Sequence, residues 1–407
     1  MSRLLIVTEG PFYRRGDEVF DKLCYDRQFY DDYAAVFDQV RVAARIDHGT
    51  AVDGMHRADG AGVAFVDLAN VQGAAWVLAP WWRFCWPLVD AVAGADAVCV
   101  RLPSVAGWHA ARLARRLGKP LMFELIGDPL AVGVGSAAHR IGGLIQYWRT
   151  RQIVRWSCLG SYVSRVHLQR RYPAAADATT ASISSIRLAA SAFRPPRTAP
   201  ASPDRLRLVL VAEFMAYKNH KTLLDAVALA LKQRPGLSLM LVGDGPLRPA
   251  IERQIEKLGL DDRIRLTGML TGRARIEAEL DAADLFVMPS WSEGMPRAAI
   301  EAMARGLPVI GSAVPGIREL LPDDLLFDPK RPAEIAHLID GLLRQDRYCR
   351  AARLCAQIAA GFAPDRLSAS RKALLSTLRA HATRMPRAAA CSPERLDVVP
   401  AVSKSPI

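Results

Sequence analysis

Short apolar runs alternate with longer amphipathic ones through the second half of the chain. The apolar runs are Leu206–Ala212, Leu237–Val242, Ile264–Thr267, Leu285–Met288, Pro308–Gly311 and Leu325–Phe327, and each reads as a buried strand. Between them, Asn219–Lys232, Leu247–Leu258, Arg273–Ala283, Pro296–Arg305, Ile317–Leu321 and Pro332–Gln345 read as helices. Strands alternating with helices of roughly 10–15 residues predict βαβ units and a parallel sheet. The pattern therefore places a Rossmann-like domain over 205–362, with its clearest part over 205–350.

The first half repeats the alternation less cleanly. Its predicted strands are Arg3–Thr8, Val40–Ala44, Gly62–Val66, Ala97–Arg101, Pro120–Glu124, Ser161–Ser164 and Ala181–Ile186. Its predicted helices are Asp17–Phe37, Val105–Leu117, Arg140–Trp156 and Arg165–Tyr172. Residues 1–195 thus read as a second α/β domain, joined to the first by a Pro-rich linker at 196–204. A helix is expected over 363–385, and the aperiodic tail 386–407 reads as disordered.

Composition narrows the class. A chain of 407 residues exceeds one ordinary domain, and 51% hydrophobic content can fill two cores. The net charge of +13 favours anionic partners such as phosphorylated substrates or an acidic membrane surface, set against a merely solvated Arg-rich surface. Nothing resembles the aromatic-basic surface of a nucleic-acid binder. Seven dispersed cysteines without a CxxC pair suggest buried thiols in a reducing, cytoplasmic setting and make zinc binding unexpected. The N-terminal apolar run is too short for a signal peptide and predicts a first strand. The stretch Val71–Val92, with Trp76, Trp81, Trp82 and Trp86, is broken by Pro80, Arg83 and Pro87, so it does not span a bilayer. It reads either as an interfacial segment or as a packed helix.

The chemistry concentrates at Glu293-Gly-Met-Pro-Arg-Ala-Ala-Ile-Glu301. Strand, Gly-Met-Pro turn, helix and strand put both carboxylates at the C-terminal edge of a parallel sheet, where open α/β folds bind ligands. Pro296 suits the first helical position, so free N–H groups around Gly294, Met295 and Arg297 would form an anion site. Two carboxylates flanking a phosphate suit a nucleotide sugar. Glu301 lies about 7.5 Å along the helix axis from Pro296, a reach that suits a ribose; the alternative is an ion pair with Arg297 or Arg305. Two further turns contribute: Lys218, beside a helix-capping Asn219, offers a point charge, while Gly243 and Gly245 allow close backbone approach.

This segment resembles the E-x7-E signature of the GT-B retaining glycosyltransferases, the group 1 set also called glycosyltransferase family 4. Supporting matches are Lys218-Asn-His, Leu241-Val-Gly-Asp-Gly-Pro246, Asp281-Ala-Ala-Asp-Leu-Phe-Val-Met-Pro-Ser290 and Val314-Pro-Gly-Ile-Arg-Glu319. The resemblance covers 205–350 and is weak over 1–200. It implies two Rossmann-like domains facing a central cleft, with the C-terminal helix crossing back to the first domain. It implies that Glu301 binds ribose hydroxyls and Glu293 sugar hydroxyls, while Lys218 and the backbone at Gly294–Met295 support the diphosphate. No metal or cofactor is implied, because helix dipole and lysine charge serve the leaving group.

Two positions depart from the family pattern. The Gly-Arg pair expected before the lysine is Ala212-Glu213, so Glu213 must turn away or be neutralised, with Arg297 or Lys221 as substitute bases. In the first domain a usual histidine is missing from Leu125-Ile-Gly-Asp128-Pro129, where Asp128 or Glu124 is the acceptor-side candidate and a turn aspartate the alternative. The opening loop Thr8-Glu-Gly10-Pro-Phe retains Gly10 as a donor-side glycine, and His109 reads as a helix-surface residue. The resemblance implies a metal-independent retaining hexosyltransferase using a UDP- or GDP-sugar on a polysaccharide or lipid-linked acceptor, as in cell-surface or exopolysaccharide biosynthesis. It would be cytoplasmic, either free or peripheral on the inner face of the plasma membrane. A same-fold nucleotide-sugar epimerase and a catalytically weakened nucleotide-sugar-binding protein are the alternatives.

Overall fold

The computed structural model describes residues 1–22, 25–49, 54–70, 85–132, 137–202, 204–270, 272–343 and 345–384. The expected disordered tail at 386–407 and Trp76, Trp81 and Trp82 of the Trp-rich stretch lie outside these residues. Two sheets organise the chain. The first contains β1 (Arg3–Arg15), β2 (Glu18–Asp21), β3 (Gln39–Asp47), β4 (His56–Arg57), β5 (Val63–Leu68), β6 (Ala97–Leu102), β7 (Leu121–Leu125), β8 (Leu159–Tyr162) and β9 (Thr179–Ser182). The second contains β10 (Arg207–Val211), β11 (Ser238–Val242), β12 (Ile264–Gly268), β13 (Leu285–Met288), β14 (Val309–Ser312) and β15 (Leu326–Phe327).

In the second sheet the order is β12-β11-β10-β13-β14-β15, with every pairing parallel. The first has the corresponding parallel run β5-β3-β1-β6-β7-β8-β9. Every residue of β6, β7 and β13 is buried, as expected for strands covered on both faces. Strand order reverses at β1/β6 in one sheet and at β10/β13 in the other. These switch points open crevices beyond the strand ends.

Several expectations need correction. Asp17–Phe37 is not a helix. Gly16 sits at φ 60, the chain folds back as an antiparallel β1–β2 hairpin, and only Asp31–Ala34 is α-helical. Phe29, Tyr30 and Tyr33 are buried in an aromatic cluster there, so tertiary packing rather than helical periodicity placed them. Thr8-Glu-Gly10-Pro-Phe is likewise no open loop, because β1 continues through it with a register shift between Val7 and Pro11. Helix Gln345–Ala360 was not anticipated as a separate element, and of the Val71–Val92 stretch the described part forms helix Cys85–Gly94.

The C-terminal helix Pro364–Arg384 does cross back to the first domain. Its Ser368 hydroxyl and Arg371 guanidinium donate to Asp32 at 2.6 and 2.7 Å, and Arg379 donates to the Val36 carbonyl at 2.7 Å. Burial raises the Asp32 carboxyl, but the bonds from Ser368 and Arg371 outweigh it and hold it below its ordinary value. A depressed native pKa stabilises the fold above the unfolded value, and that contribution disappears as pH falls through the native one. Asp32→Asn should therefore cost about 1–3 kcal/mol near neutrality. In urea melts the gap to wild type should close as pH drops below about 4. A gap independent of pH would contradict the assignment.

Candidate active site

The second switch point gathers three loops. Asn219, after β10, is 5% exposed and adopts a left-handed conformation with φ 55. Its side-chain amide donates to the carbonyls of Pro289, after β13, and Pro329, after β15, both at 3.0 Å. Its oxygen accepts from the Thr222 hydroxyl at 2.8 Å. Asn219 stands at the N-cap position of His220–Leu231 but makes no side-chain bond to a capping N–H, contrary to the helix-cap expectation. It instead joins loops that are 70 and 110 residues away in sequence.

That arrangement brings Lys218 onto Glu293. The ammonium meets Glu293 Oε1 at 2.7 Å, and the Ser290 hydroxyl donates to the same oxygen at 2.7 Å. Both side chains are largely buried, at 16% and 9% exposure. Among the described residues no hydrogen bond reaches Glu293 Oε2, which leaves it free to accept from a ligand hydroxyl. Beside the pair, His220 is buried against Phe214; burial and then the Lys218 charge push it down to about 4. It is a neutral core histidine.

Glu301 occupies the partly buried side of helix Arg297–Ala304. Burial pushes its carboxyl above the ordinary value, opposed by the positive charges of Arg297 and Arg273. Arg305 is not its partner, since that guanidinium is engaged by Asp281 and by Glu277 at 3.6 Å. Among the described residues no hydrogen bond or ion pair holds the Glu301 carboxylate. Pro296 is the N-cap residue rather than the first helical one, with ψ 93 in the extended region. The helix start has no capping side chain and no acidic residue in its first turn. The switch-point helix of the first sheet, Val105–Arg116, contrasts with it. There Glu9 Oε1 accepts from the N–H groups of Val105 and Ala106 at 2.6 and 3.1 Å.

The turn Gly294–Met295 lies on the seam between the halves. A Cβ on Gly294 would come within 3.1 Å of the Ile126 carbonyl after β7, and the Met295 side chain packs against both hydrophobic cores. Gly243 and Gly245 have φ 142 and 157, and a Cβ on Gly243 would sit 2.0 Å from the Ala212 carbonyl. These two glycines are required by the close approach of two protein turns. Glu213 is exposed. Arg297 is exposed at the helix start, whereas Lys221 pairs with Asp225 at 3.0 Å.

On the first-domain side, Asp128 accepts from Tyr172 at 2.6 Å and from the Leu130 N–H at 3.0 Å, and it pairs with Arg171 at 3.1 Å. Glu124 does not face the seam. It is buried with Arg101 and accepts from Tyr33 at 2.6 Å. Gly10 lies within β1, facing Phe12 and Tyr25. His109 is partly buried rather than on the surface; burial, then Arg149 and Arg112, push it down to about 4.

Sequence reasoning assigned no role to Glu319. Its carboxylate accepts from the N–H groups of Arg165, Val166 and His167 at 2.5, 3.2 and 2.5 Å. It clasps the second domain to the start of helix His167–Arg171 in the first, beside Asp128. Gly316 lets the same segment approach, since a Cβ there would lie 2.2 Å from the Glu293 carbonyl.

Two sheets with parallel central strands, meeting at their switch points, define the GT-B fold. The structure superposes on sucrose-phosphate synthase from Thermosynechococcus elongatus with a TM-score of 0.70 at 18% identity, covering 93% of this chain and all (100%) of that one. It superposes on Anabaena HepE in complex with UDP-glucose with a TM-score of 0.64 at 19% identity, over 93% and 100% of the two chains. Residues 205–345 match the family model of the glycosyl transferases group 1, which supports a group 1 glycosyltransferase. Protein CapJ of Staphylococcus aureus is 21% identical over 349 residues, 85% of this chain and 88% of that protein. Several other curated relatives are matched over only 20% to 37% of their own length.

The Asn219 contacts generate a test. Asn219→Gly keeps the backbone freedom but loses the amide bonds, and should cost about 1–3 kcal/mol in thermal or urea melts. Asn219→Ala should cost roughly 1 kcal/mol more through its left-handed backbone. Wild-type stability in the Gly variant would remove the role given to the side chain.

Proposed function

We propose that the chain is a retaining glycosyltransferase that takes a sugar from a UDP- or GDP-sugar held on the second domain. The observation that carries this is the contrast between the switch points. The first-sheet helix start is filled by Glu9, whereas the second-sheet helix start is uncapped and flanked by two carboxylates. A diphosphate suits the N–H groups of Gly294 and Met295, beside Pro296 and Arg297 at the start of a helix that no N-cap side chain caps. Glu301 would then accept from the ribose hydroxyls, and Glu293 Oε2 from the sugar. The Lys218 ammonium has two N–H groups beyond the one spent on Glu293 and would direct them to the phosphate oxygens. Gly243 and Gly245 shape the neighbouring wall, whereas Gly10, inside β1, takes no part.

The reaction breaks the bond between the anomeric carbon and the diphosphate oxygen and forms one to the acceptor oxygen on the same face. The departing phosphate oxygen takes the acceptor proton, so no separate metal or cofactor is needed. Lys218 and the helix N-terminus stabilise the charge that develops on that oxygen. Asp128, steadied by Tyr172 and Arg171, orients the acceptor from the first domain. The acceptor is a polysaccharide or lipid-linked glycan of the cell surface, met in the cytoplasm or at the inner membrane face. The basic-to-acidic change at Glu213, relative to the family pattern, is tolerated because that side chain is exposed to solvent. The epimerase alternative would convert a nucleotide sugar without an acceptor, which acceptor-free incubation detects.

Glu301→Ala should abolish transfer from a labelled nucleotide sugar and weaken nucleoside diphosphate binding by at least about tenfold, one lost charged interaction. Wild-type turnover in that variant would sink the donor assignment. Because burial raises the Glu301 carboxyl, nucleotide affinity should fall on acidification already above the ordinary carboxylate range. The Glu301→Gln variant should lose that dependence, as read by titration at several pH values. An identical pH profile in both proteins would show that another group controls it.

A further inference from the structure

Helices Cys85–Gly94, Val105–Arg116 and Ala137–Trp156 cover one side of the first sheet. Ala137–Trp156 packs its Ile153 and Val154 inward, but Ile141, Leu144 and Trp148 are 59%, 52% and 61% exposed. Their spacing of three and four residues sets them in one stripe along the solvent side. Exposed Arg140 and Arg155 bracket the stripe. Trp86, at the start of Cys85–Gly94, is 75% exposed in the same layer.

The two longer helices of this layer carry charge of one sign, while Cys85–Gly94 contributes the exposed Asp90. Val105–Arg116 carries three arginines and Ala137–Trp156 four, and neither helix has an acidic residue. Arg112 and Arg149 both lie over the Trp108 ring, at 5.8 and 5.9 Å, and Arg115 lies 5.1 Å over Trp156. Arg151 sits 5.9 Å from the Trp148 ring. The two guanidiniums over Trp108 thus crowd one ring, and burial followed by the neighbouring Arg112 lowers that of Arg149. Such crowding is relieved by bound anions.

We propose that this face docks on an anionic lipid bilayer, with Ile141, Leu144 and Trp148 entering the boundary between headgroups and acyl chains and the arginines meeting lipid phosphates. Among the described residues no helix is long and apolar enough to cross a membrane, so the contact is one of lying on the surface. A second copy of the chain is disfavoured as occupant, because a two-fold contact would set arginine against arginine. Nucleic acid would use the charge but leave the apolar stripe without a partner. The inference deepens the membrane-side part of the function proposed above, and it holds the acceptor side of the protein near lipid.

Co-sedimentation of the full chain with phosphatidylglycerol or phosphatidylcholine vesicles tests it. Wild type should bind phosphatidylglycerol vesicles at least about tenfold more tightly, and less so as salt rises. Leu144→Ser with Trp148→Ser should weaken that binding about tenfold or more. Arg140→Glu with Arg155→Glu should abolish the preference for anionic lipid. Both double variants replace exposed side chains, so melting temperature and nucleoside diphosphate response should stay as in wild type. Equal binding to the two lipids, wild-type binding by the Ser variant, or a change of its size on gel filtration would overturn the proposal; the last would mark a self-association face. A protein that sediments with vesicles but ignores nucleoside diphosphates keeps this surface and removes the donor reading. The reverse result removes the surface alone.

Discussion

Asn219 is the contact on which the site depends. One amide donates to carbonyls after two different strands, and its oxygen is taken by Thr222. The loops after β10, β13 and β15 are thereby fixed to one another at the point where strand order reverses. Lys218 is the preceding residue, so its ammonium is delivered to Glu293 by a backbone whose position is already set. The left-handed conformation at Asn219 is part of the same constraint, since few residue types adopt it cheaply. A buried amide with its polar groups satisfied specifies a single arrangement, and a half-satisfied one would not.

The two sheets share a strand order but have divided the work. In the first, Glu9 occupies the helix start that a ligand anion would need, and its neighbours Ser104 and Arg45 hold it there. In the second, the helix start carries no such carboxylate, and its acidic groups stand to either side. The halves are held against each other by the Glu319 clasp and by the returning C-terminal helix. Met295 and Gly294 lie in that seam, so the conformation of the turn and the relative position of the domains are coupled by direct contact. The exposed Arg-rich layer of the first domain includes the switch-point helix Val105–Arg116 itself.

Much of the second domain was legible in the sequence, and the reasons are physical. Parallel strands buried on both faces leave uninterrupted apolar runs, and Leu285–Met288 begins and ends where its run does. The spacing of Glu293 and Glu301 across a turn was visible because it is local. In the first domain, the hairpin at Gly16 was obscured by aromatic residues whose spacing imitates a helix. Asn219 looked like a cap because its partners are 70 and 110 residues away. Glu319 gave no signal for the same reason, as its backbone partners lie more than 150 positions earlier. Glycines 243 and 245 were noticed as open turns, but the carbonyl that requires Gly243 belongs to another loop. Local chemistry is written along the chain, whereas clasps between distant loops are not.

Isothermal titration of wild-type protein with uridine and guanosine diphosphates, and with the matching monophosphates, tests the central claim most directly. A site built from an uncapped helix start, Lys218 and Glu301 should bind one diphosphate at a single site per chain. It should bind the corresponding monophosphate at least about tenfold more weakly, the loss of one charged contact. At about 100 times its dissociation constant the preferred diphosphate should add roughly 2.7 kcal/mol to stability. Equal affinity for all four nucleotides, or no heat with any of them, would contradict the account.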